Sequence, residues 1–218
     1  MTKTAHDFAK ASAKALGDRQ SRAILHKAIG HIRVLRQRSV NAMPDFTERR
    51  ARAVAVREKT LATLPDLLEK LEKSVRAAGG TVHYAEDAPQ AAAIVTDVLT
   101  ASGAKLVVKG KSMVSEEIGL NDALAAAGIT AVETDLGEYI IQLAGQKPSH
   151  ILAPALHVSK EQVSALFAAK LGRTSSEIPE MTRIARDSLR EKFLAADAGI
   201  TGCNIAIAAT GTVTVLEN

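Results

Sequence analysis

Residues 105–134 read KLVVKGKSMVSEEIGLNDALAAAGITAVET. The opening six residues form an apolar run of strand length that stops at Gly110. From Ser112 the apolar residues recur at helical spacing and stop at Gly128, a residue suited to a helix end. A second strand-like run, ITAVET, follows at once. Strand, helix and strand with short joints make a βαβ unit, so the two strands are expected to be parallel.

Working outward, the same alternation continues on both sides. Upstream, TVHYA (81–85) reads as a strand and residues 88–103 as a helix. Downstream, residues 136–146 read as a helix, 149–155 as a strand and 159–172 as a helix capped by Ser159. A long helix is expected from about Pro179 to Ala198, closed by Gly199. Residues 203–218 read as two strands joined at Thr210-Gly211. The expected fold class is α/β, a mainly parallel sheet flanked by helices. Because residues 203–218 close on an apolar strand, the chain is expected to be a fragment of a longer protein.

Residues 1–80 follow a different pattern. Ile24, Leu25, Ala28, Ile32 and Leu35 lie at helical spacing among Arg and Lys. Another helix is expected from Thr47 to about Thr63. Pro65 suits the first turn of the next, capped by Thr63 and stopped by Gly79-Gly80. The expected organisation is a helical arm over 1–80 and an α/β domain over 81–218. The arm holds 17 Lys and Arg against 8 Asp and Glu, and the rest 11 against 16. Such a basic arm points to an acidic partner surface. Nucleic acid is not expected, because the arm has few aromatics and no known binding motif.

Composition removes several function classes. The 218 residues carry 46% hydrophobic and 24% charged side chains, ordinary for a globular domain. One cysteine, Cys203, excludes an internal disulfide framework and a four-cysteine metal or cluster site within these residues. No apolar run approaches the roughly 20 residues of a membrane span. The first residues lack a hydrophobic signal core. A cytoplasmic location is expected.

Chemistry-bearing residues gather where the expected strands end. In VVKGKSMVSEE, Gly110 permits unusual backbone, Ser112 can cap the next helix, and Lys109 and Lys111 add charge where a helix dipole favours an anion. These four are the candidate anion or substrate-binding residues. The spacing is not that of a Walker loop. In AVETDLGEYIIQL, Glu133, Asp135 and Glu138 end the next strand. Asp135 and Glu138 have capping-box spacing, whereas Glu133 is expected to face the cleft. Lysine-rich and acid-rich turns at neighbouring strand ends would form a charge-paired cleft. His157 follows the expected 149–155 strand, where an acid or base can sit. Its partner in sequence, His150, is too far along the chain to define a metal site with it. Thr210 and Gly211 put a hydroxyl and bare backbone at a tight turn, a second place for ligand approach. Glu133, Glu138 and His157 are the candidate catalytic residues; no metal ligands are expected.

Three stretches together, VVKGKSMVSEEIGLNDALAAAGI, VETDLGEYIIQLAGQKPSHILAPALH and GITGCNIAIAATGTV, resemble the LUD-domain iron–sulfur proteins of bacterial lactate-utilisation systems, the LutB family. The resemblance runs along nearly the whole chain. It implies a fold like that of the NagB/RpiA/CoA-transferase superfamily. It also implies a component, not autonomous, of a complex with LutA-like and LutC-like subunits that oxidises L-lactate to pyruvate. Such proteins carry two [4Fe–4S] clusters in a C-terminal cysteine-rich segment that passes electrons on. That segment is missing from these residues, which stop at the stretch LEN. Ala209 also stands where the family has an acid before Thr-Gly. The residues leave other readings open: a non-catalytic docking scaffold, or a superfamily enzyme acting on a sugar phosphate or an acyl-CoA.

Overall fold

The computed structural model describes residues 5–146, 148 and 153–216. Four helices come first: α1 (Ala5–Gly17), α2 (Arg19–Asn41), α3 (Phe46–Ala62) and α4 (Leu64–Ala77). Asp18 caps α2 by accepting the Ser21 N–H at 2.9 Å. Thr63 precedes α4, yet its hydroxyl turns back to the Lys59 carbonyl (3.1 Å), so Pro65 opens α4 without a side-chain cap. None of α2, α3 or α4 holds a buried residue.

The α/β part follows as α5 (Ala88–Ala101), β1 (Leu106–Gly110), α6 (Val114–Glu117), α7 (Leu120–Ala126), β2 (Thr130–Glu133), α8 (Leu136–Ala144), α9 (Lys160–Leu171), α10 (Ile178–Ala195), β3 (Ala198–Thr201), β4 (Ile205–Ile207) and β5 (Thr212–Thr214). The main sheet has order β2-β1-β3 and is parallel throughout. This is the α/β class with a parallel sheet flanked by helices. A separate antiparallel pair, β4-β5, turns at Thr210-Gly211.

Three expectations are corrected, and a fourth is described only at its end. Residues 81–85 form no strand and join no sheet. The single helix expected over 112–128 breaks into α6 and α7 at Gly119, whose φ of 66° is left-handed. The long last helix ends at Ala195, and Ala198–Thr201 form β3. The cause is long-range: the Asp197 carboxylate accepts the N–H groups of Lys105 (2.8 Å) and Leu106 (2.9 Å), which lays the following residues beside β1. The 149–155 strand falls mostly outside the described residues. Its described end, from Ala153, enters a run of turns instead. Glu217 and Asn218 also lie outside.

The chain divides into two compact units. One comprises Met1–Pro44 and Ile140–Ala185. It buries Ile140, Ile141, Phe167, Met181, Ile184 and Ala185, and a full capping box between Ser159 and Gln162 starts α9. The other comprises Asp45–Tyr139 and Arg186–Asn218 and contains both sheets. Its core is Ala92, Leu99, Ala104, Val107, Leu120, Leu124 and Ile129, which packs α5 and α7 against β1.

Candidate functional site at the strand ends

The three parallel strands end together, at Gly110, Glu133 and Thr201, and the carboxyl ends of such strands are where open α/β sheets bind ligands. Successive side chains in a strand point to opposite faces. That rule splits the candidate residues into two groups.

On one face Val107 packs with Leu120 and Leu124 of α7. Lys109, two residues on, points the same way and is 2% exposed. Its cross-strand neighbour is Glu133, itself 5% exposed. The Lys109 ammonium lies 2.7 Å from Glu133 Oε1 and donates to Ser115 Oγ at 2.8 Å and Glu116 Oε1 at 2.9 Å. An ammonium has three donors, and each has a partner here. Asn121 adds its amide N–H to Glu133 Oε1 (2.9 Å). Met113, not Ser112, holds the N-cap position of α6; the Ser112 hydroxyl accepts the Ser115 N–H at 3.2 Å from one residue further out, while Ser115 donates its hydroxyl to the Ser112 carbonyl. Glu133 is thus drawn under the helices by strand alternation rather than into the open cleft.

At the other face and edge lies a cleft of about 480 Å³, lined by Val108, Gly110, Lys111, Thr134, Asp135, Phe193 and β3 residues Gly199–Thr201. Lys111 has φ 57°, the one positive φ outside glycine among the described residues. Its ammonium is 2.8 Å from Asp135 Oδ1, and its N–H donates to Asp135 Oδ2 at 3.3 Å. Asp135 therefore turns to Lys111, not only to the start of α8. Glycine is required twice around this lysine. A Cβ on Gly110 would stand 2.6 Å from Thr134 Oγ1, and one on Gly202 would strike the Lys111 carbonyl. Thr134 closes the joint by donating both its N–H (2.8 Å) and its hydroxyl (3.0 Å) to the Lys109 carbonyl.

Glu138, on the first turn of α8, is half-buried. Burial raises its carboxyl above the usual range; the charges of Asp135 and Glu133 add to the rise, and Lys111 opposes it. A carboxyl so placed becomes a better proton acceptor near neutral pH.

The remaining candidates lie elsewhere. His157 belongs to the first unit, where Nε2 meets Gln146 Oε1 at 2.9 Å; His150 is outside the described residues. Thr210 and Gly211 form the β4-β5 turn. Gly211 sits so close to α4 that a Cβ would stand 2.7 Å from Val75 N, and Ser74 donates its hydroxyl to the Ala208 carbonyl at 2.8 Å. Ala209 is exposed in that turn. Sequence reasoning missed Thr134, Phe193 and Thr201 as cleft residues. Alternation along β2 could have revealed Thr134, but Phe193, near the end of α10, and Thr201, at the end of β3, are brought there only by the fold.

No group of three or more His, Cys, Asp and Glu side chains among the described residues is arranged to hold a metal ion. A [4Fe–4S] cluster takes four cysteine thiolates. The single, exposed Cys203 does not fit that requirement, so no step in this chain is routed through a cluster. Among the described residues, no helix is long and apolar enough to cross a membrane.

The profile of the LUD domain matches residues 68–218. The chain belongs to the LUD-domain family. It is 42% identical over 213 residues to Lactate utilization protein B of Macrococcus caseolyticus, a match covering 97% of this chain and 45% of that protein. It is 50% identical over 165 residues to Lactate utilization protein B of Bacillus pumilus, covering 75% and 35%. The protein of that name from Shouchella clausii is 40% identical over 213 residues, covering 97% and 45%. The chain thus spans less than half the length of these curated relatives. No solved structure matches it.

Proposed function

We propose that this chain is the LUD portion of a lactate-utilisation protein of the B type, and that it binds a small 2-hydroxy or 2-keto acid, L-lactate or pyruvate, in the cleft at the ends of β1, β2 and β3. One observation carries the reading: Lys111 holds a left-handed backbone at the cleft wall. Such a conformation costs a non-glycine residue of order 1–3 kcal/mol and is kept where a side chain is needed in place. Asp135 orients the ammonium at the cleft wall, and Thr134 and Thr201 line the same space. Lys109 and Glu133 act as positioning residues beneath the joint. Glu138 is the candidate base for the hydroxyl proton of L-lactate.

Oxidation to pyruvate also needs a two-electron acceptor. That acceptor belongs to the rest of the system, with iron–sulfur clusters and LutA-like and LutC-like subunits as the proposed companions. Residues 1–80 would serve as the helical arm and 81–218 as the LUD portion, working in the cytoplasm. Roles for His157, Thr210 and Gly211 rest on the reading of their sequence positions alone. A docking scaffold is the second reading, favoured by three successive helices without a buried residue.

Calorimetric titration with L-lactate, pyruvate, a sugar phosphate and coenzyme A separates these readings. Pyruvate or L-lactate should bind, and Lys111→Met should weaken binding at least tenfold while the melting temperature holds. Absence of binding to any of the four by the folded chain would sink the anion-site reading in favour of the scaffold. Binding of the sugar phosphate or coenzyme A alone would favour a different enzyme of the superfamily.

A further inference from the structure

Strand β3 has β1 on one side and, among the described residues, no strand on the other. Gly202 donates its N–H to the Gly110 carbonyl. Backbone groups of alternate residues in a strand point to opposite sides, so Gly199 and Thr201 present theirs to the open side. Beyond that edge lies a groove of about 600 Å³, floored by Ala91, Ile94, Val95 and Val98 of α5. Its far bank is the segment 81–85, which contributes Thr81, His83 and Ala85, every second residue. The free edge of β3 and this segment therefore flank one apolar-floored slot.

Proteins protect a free strand edge with charge, proline or a bulge, because unpaired N–H and C=O groups invite another chain. The run AGITG (198–202) has no charged residue and no proline. A small ligand would leave most of those groups without partners, whereas one extended peptide satisfies them and covers the floor. The curated relatives are more than twice as long as the part this chain matches.

We infer that the slot between β3 and residues 81–85 receives one β-strand, and that the strand comes from polypeptide corresponding to the part of those relatives outside the match. The sheet then reads β2-β1-β3-guest, with 81–85 closing on the guest's outer edge. Four residues of such a strand cover about 13 Å, the length of β3.

The test uses overlapping 12-residue peptides tiling the unmatched part of the Bacillus pumilus relative, with amide hydrogen exchange of the full chain as readout. One peptide or a neighbouring pair should slow exchange at Gly199 and Thr201, and across 81–85, at least tenfold, leaving Val107 and Val108 unchanged. Val98→Lys, at a half-exposed position on the floor, should weaken that peptide at least tenfold without lowering the melting temperature appreciably. The inference is overturned if no peptide at millimolar concentration slows Gly199 and Thr201. It is equally overturned if a binding peptide leaves both amides unchanged, or if they become protected simply by concentrating the chain, which would make a second copy the occupant.

Discussion

The ends of β1 and β2 and the surface of α3 and α4 are built from the same charged residue types with nearly the same separations. Around Lys109, ammonium and carboxylate meet at 2.7 and 2.9 Å. Along the helices, Lys73–Glu69, Arg76–Glu72 and Arg49–Asp45 meet at 2.6–2.8 Å. The difference is water. Lys109 is 2% exposed, and Lys73 and Glu69 are 73% and 66% exposed at their side chains. Exposed pairs one helical turn apart contribute about 0.3–0.5 kcal/mol. Removing one partner of a buried pair costs far more, because the other charge stays behind without compensation. Distance therefore says little about the worth of these contacts; burial decides it.

Lys109→Met should show the contrast at its largest, a loss of about 3–5 kcal/mol by urea unfolding, since Glu133 is left buried. Adding Glu133→Leu should recover a good part of that loss; complete additivity of the two would mean that the pair is not coupled. Gly110→Ala comes next, at about 1–3 kcal/mol, because the new methyl overlaps the Thr134 hydroxyl 2.6 Å away. A cost near zero would show that Thr134 yields freely. Lys111→Gly should change stability by less than about 1 kcal/mol, since relief of the left-handed backbone offsets the lost Asp135 pair. Its anion binding should nevertheless fall at least tenfold, which separates a binding lysine from a structural one.

Glu138→Gln makes a smaller, pH-dependent difference. The folded carboxyl holds its proton more tightly than the unfolded one, so its contribution is full below the ordinary Glu range and fades as pH rises through the raised folded value. The variant should therefore gain on the wild type in melting temperature between pH 4 and pH 8, and a gain that is flat with pH would contradict the assignment. Lys73→Ala, on the water side of the comparison, should leave the urea midpoint essentially unchanged.

Much of this was legible before any coordinates. Gly103, Gly128 and Gly172 mark helix ends and carry the positive φ expected there. The strand–helix–strand reading of 105–134 anticipated β1 and β2 side by side and parallel. Lysine-rich and acid-rich turns at adjacent strand ends did become a charge-paired cleft, though only Lys111 and Asp135 line it. Strand alternation, had it been applied, would have placed Lys109 and Glu133 on one face and Gly110 and Thr134 on the other. What blurred the picture was treating neighbouring residues of a turn as one site. The stretch after Ala195 misled for a plain reason: Ala196, Asp197 and Ala198 suit a helix locally. Nothing nearby in the chain announces that Asp197 will bind the start of β1, 91 residues away.

Local chemistry thus settled which segments are helices, where glycine stops them, and which two strands run in parallel, because spacing, caps and backbone freedom act within a few residues. The fold alone decided that β3 joins the sheet beside β1, that Ser115, Glu116 and Glu133 take all three donors of Lys109, and that Lys111 faces the cleft with Asp135 behind it. Apart from Ser115 and Glu116, six and seven residues from Lys109, those contacts join residues distant in sequence. Their strength comes from the exclusion of water, which exists only once the chain has closed.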